Sequence, residues 1–437
     1  MKYTSSFILI AATAGLSSAF SPTQMHEVKV RAARSSSVSP QLLGDLATLS
    51  EQQLTSTGRA IKAILLKQDS GLDTGSAPVN GELGSSQCNE DVCCVWKVIA
   101  DDMAKTMVGS DRQCNSLARA AIRLGFHDAG AWSTESEVGG ADGSIVLAGE
   151  CESRAENNGL QEICERMRSW FDQYQQYSVS MADLIQMGAN VGAVVCPLGP
   201  RVRSFVGRKD SNSPAPEGLL PGPELSADRL ITMFASKTIS PQGLIALVGS
   251  HSVAQQRFVQ TNRSGDALDS TPGIWDTNFF RQVLDPKASP RIFKLQSDVS
   301  LSRDQRTTDV WSAYAGAQAQ QSFIDDYATE YVRLSLLGVQ NINDLIECTE
   351  ALPPYIASFA VSDSNASSRP VDSDRPSCSS GGSTSGILPK GSWPSSSNGL
   401  QGLFSGARHA NRPPAAGRKP QSSVPRAGNQ EEGSNPR

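Results

Sequence analysis

Two histidines stand apart in this sequence by what surrounds them. The chain holds four. His26 and His409 fall near its two ends, in segments whose composition does not suggest a folded site. His127 lies in the run Ala121-Ile122-Arg123-Leu124-Gly125-Phe126-His127-Asp128, where Arg123 and His127 are four apart and so share one helix face. A base and a permanent cation then point at one spot. His251 follows the apolar turn 244–249 and is flanked by Ser250 and Ser252, with no second His or Cys at zinc-ligand spacing. One neutral imidazole suits haem iron better than a closed zinc site. Taken singly, each histidine has a plainer reading as a structural residue at a helix end, and context has to decide.

The elements that must position these residues read as helices. In the middle of the chain the helical period recurs and strand alternation is scarce, which predicts an all-α domain. Ser180-Met181-Ala182-Asp183 precedes the apolar 184–195 segment as a capping box would, and Ser240-Pro241 sets a cap and a first-turn proline before 244–253. Further helices are predicted over 98–107, 116–127, 160–177, 227–236 and 311–337. There is no internal repeat of solenoid period.

The ends differ from the middle. Residues 1–19 carry Lys2, an apolar run over 7–12 and the small residues Ser17-Ser18-Ala19, the three-part form of a secretory signal. That run is too short for a membrane span, and nothing later approaches the ~20 apolar residues one needs, so a soluble extracellular protein is predicted. Residues 20–86 are polar and read as a pro-segment or N-terminal extension, with one possible amphipathic helix over 42–66 and a basic stretch at 29–34 that fits either processing or solvated surface. Residues 356–437 form a Ser/Pro/Gly-rich tail that cannot bury enough apolar area to offset chain entropy, so disorder is predicted there. A net charge of −5 leaves no cationic excess for phosphates, which argues against a nucleic-acid partner. Nine cysteines in an exported chain favour disulfides, eight of them from Cys88 to Cys348 and the ninth, Cys378, in the tail. Asn262 and Asn365 begin glycosylation triplets.

The segments Arg123-Leu124-Gly125-Phe126-His127-Asp128, Gly139-Gly140-Ala141-Asp142-Gly143-Ser144, Val248-Gly249-Ser250-His251-Ser252-Val253-Ala254, Asp269-Ser270-Thr271-Pro272-Gly273-Ile274-Trp275-Asp276 and Gln296-Ser297-Asp298 together resemble the secreted fungal class II haem peroxidases. All five occur in the family's order across roughly 88–354, which is far more specific than any one motif. The resemblance implies a two-lobed all-α fold over 87–355, with haem b between the lobes and hydrogen peroxide and small phenolic reductants as substrates. His251 would be the proximal iron ligand, with Asp298 on its other ring nitrogen making it a stronger donor. Across the haem, His127 would move the peroxide proton, Arg123 would stabilise developing charge, Asn157 would hold His127 as a base, and Phe126 would pack beside them. Two Ca²⁺ are implied as well, one held by Asp128, Gly140, Asp142 and Ser144, the other by Ser252, Asp269, Thr271, Ile274 and Asp276. Family disulfides correspond to Cys88–Cys94, Cys93–Cys348 and Cys114–Cys196, which leaves Cys151 and Cys164 for each other, although sequence does not fix connectivity.

Departures from the pattern bear on the donor. Leu268 stands where the family has an aromatic, the stretch from Asp276 to Asp298 is short, and Asp309 replaces a cysteine of a further disulfide. The positions of the three manganese-binding carboxylates hold Ser116, Ala120 and Arg257, and the surface-tryptophan position holds Ala246. Small phenols and dyes are therefore the predicted donors of a monomeric enzyme, with Trp275 or Tyr174 as a less favoured surface oxidation site. Manganese-oxidising, lignin-oxidising and non-catalytic haem- or calcium-binding proteins are the competing readings.

Overall fold

A computed structural model describes residues 41–359 apart from 74, 76–78 and 80–81. The signal-like segment, the 29–34 stretch, His26 and the tail with Asn365, Cys378 and His409 lie outside the described residues. The described chain is built from helices, with one two-stranded antiparallel pair, Phe205–Val206 against Ile346–Glu347. The fold class is all-α.

The long helices are α1 (Ser56–Leu65), α2 (Val92–Met107), α3 (Ser116–Ala129), α4 (Gln161–Tyr174), α5 (Met181–Val194), α6 (Ala227–Ala235), α7 (Pro241–Val248), α8 (Asn278–Leu284), α9 (Gln296–Arg303), α10 (Thr308–Tyr314) and α11 (Gln320–Leu334). α3 and α5 lie against each other, with α2 and α4 packed on them. α5 is buried along its whole length, which explains why its sequence reads as nearly continuous apolar residues. A side chain at Gly125 of α3 would run into the Tyr331 hydroxyl and the Ala189 methyl of α5. Glycine there lets α3 approach both α5 and α11.

The two predicted caps form. Ser180 accepts from the Asp183 amide to start α5, and Ser240 accepts from the Gly243 amide with Pro241 in the first turn of α7. α7 ends at Val248 and tightens into a 3-10 turn over Gly249–Val253 that carries His251. All four cysteine pairs close as disulfides, Cys88–Cys94, Cys93–Cys348, Cys114–Cys196 and Cys151–Cys164.

Two long predicted helices are divided. In 42–66, Gly44 adopts a positive φ of 50°, a short 3-10 turn follows over Gly44–Ala47, and Thr55 caps a separate α1 by accepting from Gly58. In 311–337 the chain turns after Tyr314, where Gly316 bonds back to Ala313, before α11 begins. Nor does the 20–86 stretch stand apart throughout, because Leu46, Ile61, Ile64 and Leu65 are buried in the same core as α2, α5 and α11.

Candidate active site

α3 is held at its start by Asn115, whose side chain accepts from the amides of Leu117 and Ala118. Its last turns carry Arg123, Phe126, His127 and Asp128. His127 Nδ1 lies 2.8 Å from Asn157 Oδ1. The amide group of Asn157 donates to the Glu150 carbonyl at 3.0 Å, which fixes its oxygen toward the histidine. Nδ1 therefore carries the proton, and Nε2 is the lone-pair nitrogen. Arg123 Nε donates to that Nε2 at 3.1 Å, while its terminal nitrogens donate to the carbonyls of Asn158 and Glu156, each at 2.8 Å. Burial first, and the Arg123 charge second, pull the His127 pKa down to about 3 against the opposing Asn157 bond. The imidazole is neutral at ordinary pH. Arg123 keeps solvent access, and its partial burial brings its pKa to about 10, so it stays charged. Phe126 is stacked on Phe234 at 6.1 Å and meets the His127 ring edge-on at 5.6 Å.

His251 Nδ1 lies 3.1 and 3.2 Å from the two oxygens of Asp298, a carboxylate 1% exposed in the first turn of α9. Burial of His251 disfavours its charged form, but the charge and hydrogen bond of Asp298 outweigh that, and the pKa is raised. Among the described residues, Nε2 carries no hydrogen bond and the side chain keeps 31% exposure. The Arg123 charge opposes protonation of His251 more weakly than Asp298 favours it. A ring nitrogen backed by a carboxylate and free on its other side fits haem iron, so the residues present suit the group that the sequence implies.

Beside each histidine is a set of buried oxygens. Asp128, 2% exposed, accepts from the amides of Gly143 and Ile145 at 3.1 and 3.4 Å, and Asp142 accepts from Ser144 at 3.0 Å. Burial and then the neighbouring Asp142 charge push the Asp128 carboxyl well above its ordinary range. On the other side, the Leu268 amide donates to the Ala254 carbonyl at 3.0 Å, which runs the residues after His251 alongside those before Asp269. Asp269 accepts from Thr271, Thr271 Oγ1 donates to Asp276 at 2.9 Å, and Ile274 bonds back to Thr271. The Asp269 carboxyl is pushed well up by burial and then by Asp276. Ser252 Oγ is buried with no hydrogen-bond partner. Repelling carboxylates beside an orphaned hydroxyl are what a hard cation would satisfy. No group of three or more His, Cys, Asp or Glu residues that could hold a metal ion occurs among the described residues.

The predicted residues lie near one another within these segments, Gly140 accepting from the Asp142 amide at 2.8 Å. Sequence reasoning missed Phe234, the Glu150, Glu156 and Asn158 carbonyls, Phe279, which meets His251 edge-on at 5.6 Å, and Asn278, which donates to Asp276 at 2.8 Å. A carbonyl partner leaves no trace in residue identity, although Asn278 and Phe279 follow directly on Asp276. Of the residues that bear on the donor, Trp275 and Ala246 are 0% and 1% exposed and Tyr174 is 2% exposed. None of the three offers a surface.

An all-α fold with a carboxylate-backed imidazole and an arginine–histidine pair fits a haem-type oxidoreductase. The model of the family described as Peroxidase matches residues 99–317. Ligninase C of Trametes versicolor is 33% identical over 299 residues, covering 62% of this chain and 77% of that protein. Peroxidase of Arthromyces ramosus is 31% identical over 322 residues, covering 69% and 86%, and manganese peroxidase 3 of Phlebia radiata is 32% identical over 298, covering 62% and 80%. The chain belongs to the peroxidase family, in its fungal class II haem branch, and carries out hydrogen-peroxide-dependent oxidation.

Proposed function

We propose that this peroxidase is a secreted monomer that oxidises small phenols and dyes at the edge of haem b, with two Ca²⁺ bracing the site. The observation that carries the reading is the geometry at His127, whose Nδ1 lies 2.8 Å from Asn157 Oδ1 and whose Nε2 lies 3.1 Å from Arg123 Nε, with burial and that charge lowering its pKa to about 3. His127 takes a proton from hydrogen peroxide at Nε2 and returns it to the departing oxygen. Arg123 stabilises the negative charge that develops there, and Asn157 holds the tautomer. Phe126 closes the side of this pocket. Haem, when bound, supplies the redox chemistry that a protein side chain cannot. His251 holds its iron, and Asp298 strengthens that imidazole as a donor. The clusters of Asp128, Gly140, Asp142 and Ser144, and of Ser252, Asp269, Thr271, Ile274 and Asp276, hold the calcium ions and so fix the adjoining histidines.

The donor reading rests on which residues stand where manganese- and lignin-oxidising relatives carry their donor-site residues. Ser116, Ala120 and Arg257 offer no carboxylate to Mn²⁺, an ion that wants oxygen ligands, and Arg257 adds a repelling cation. Ala246 is buried and carries no ring. Steady-state assays with a phenol, Mn²⁺ and a non-phenolic aromatic alcohol, on protein whose Soret band responds to peroxide, decide the matter. Turnover of the phenol alone is expected; efficient Mn²⁺ turnover overturns the donor reading.

A further inference from the structure

A line of aromatic rings leads away from the proximal imidazole. His251 meets Phe279 at 5.6 Å between centroids; Phe279 lies 5.3 Å from Phe280 and 5.4 Å from Trp311. Phe280 then lies 5.2 Å from Trp311 and 5.1 Å from Tyr314. Every step is within the range of rings in direct contact. Phe279, Phe280 and Trp311 are 0% exposed and Tyr314 is 1% exposed. The peroxide chemistry described above uses neither Trp311 nor Tyr314.

An indole or a phenol gives up an electron far more readily than a benzene ring, so Trp311 and Tyr314 are the oxidisable members of the line. Their protons separate them. Trp311 Nε1 donates to the Phe280 carbonyl at 3.0 Å, and an amide oxygen takes up no proton at ordinary pH. Tyr314 Oη donates to Asp326 at 2.7 Å, and a half-buried carboxylate is a base able to accept the phenol proton as the ring is oxidised.

We infer that Tyr314 is an internal one-electron donor of this enzyme, reached from the proximal side through Phe279, Phe280 and Trp311 and deprotonated onto Asp326 as it is oxidised. The inference rests on the peroxidase reading. Hydrogen peroxide is the oxidant, and its reduction to water leaves the site short of electrons. One is returned from Tyr314: its O–H bond breaks, the electron passes along the rings to the site, and the proton passes to Asp326. A neutral phenoxyl radical and a protonated carboxyl result. An external phenol, losing its own proton to solvent, later returns one electron, and the proton held by Asp326 goes back to the Tyr314 oxygen. When that phenol is scarce, the oxidising equivalent rests on Tyr314 rather than beside the two histidines.

The test is rapid-freeze electron paramagnetic resonance of the haem-loaded enzyme mixed with peroxide in the absence of donor, with the Soret band recorded on the same samples. A tyrosyl radical is expected in the wild type and in Tyr174→Phe, whose phenol also donates to a carboxylate, that of Asp102, but lies outside this line of rings. The signal should be lost in Tyr314→Phe, which removes one hydroxyl, and weakened in Asp326→Asn, which keeps the ring and removes the proton acceptor. A tyrosyl signal that persists in Tyr314→Phe, or a wild type that forms no protein radical while its Soret band responds, overturns the inference. A Soret band that does not respond at all overturns the peroxidase reading and this inference with it.

Discussion

His127 is poised as a base by two neighbours acting on different nitrogens: Asn157 fixes the proton on Nδ1, and Arg123 together with burial keeps Nε2 unprotonated. A base works above its own pKa, so the peroxide step should stay flat as pH falls from neutral and be lost only on approaching about 3. A pH series of that step by stopped flow checks this; a midpoint near the ordinary histidine value would mean that the ring is solvated. On the proximal side, Asp298→Asn removes the charge that makes His251 a strong donor, and haem affinity or activity should fall by roughly 10–100-fold, measured by haem titration and turnover. At this scale the sequence was informative wherever a residue's type does the chemistry. The one-turn spacing of Arg123 and His127 exposed the pair. What stayed hidden was the framing by backbone, such as the Glu150 carbonyl behind Asn157, since any residue offers a carbonyl.

The helices that carry these residues were legible where a cap and a period agree, as at Ser180 and Ser240. They were misjudged where periodicity ran across a break. Gly44 and Thr55 divide 42–66, and a turn through Gly316 divides 311–337. Apolar spacing marks which face is buried; it does not mark where the backbone leaves the helix. The same limit hid the place of α1, whose Thr55 donates to the Asn343 carbonyl and accepts its own cap while Ile61 is fully buried in the main core. Ile61→Ala should therefore destabilise the whole domain by about 2–5 kcal/mol in urea unfolding. Loss of no more than a few tenths would mark 41–66 as a dispensable attachment.

At the scale of the molecule, distant segments are joined covalently, and each of the two site histidines adjoins an acidic cluster. The Cys93–Cys348 disulfide joins residues 255 apart in sequence, and the buried oxygen sets adjoin His127 and His251 through Asp128 and Ser252. Calcium chelation should lower thermal stability and change the haem spectrum, since an ion bound only by the folded state stabilises it. The pH trend of the chelated protein has a definite sign. Asp128 and Asp269 have carboxyls raised in the folded state, so they weigh against folding when ionised, and that penalty is relieved as pH falls through their raised values toward the ordinary ~3.9. Melting of calcium-free protein across that window should show a rise toward acid that added calcium removes. Central to the proposed function is a neutral base, His127, paired with the Arg123 cation for peroxide cleavage. The most direct measurement is the stopped-flow rate of the first peroxide step in wild type and His127→Ala, with haem content matched. The account predicts a loss of at least ~10²-fold with the haem still bound. A variant that reacts at the wild-type rate would contradict it.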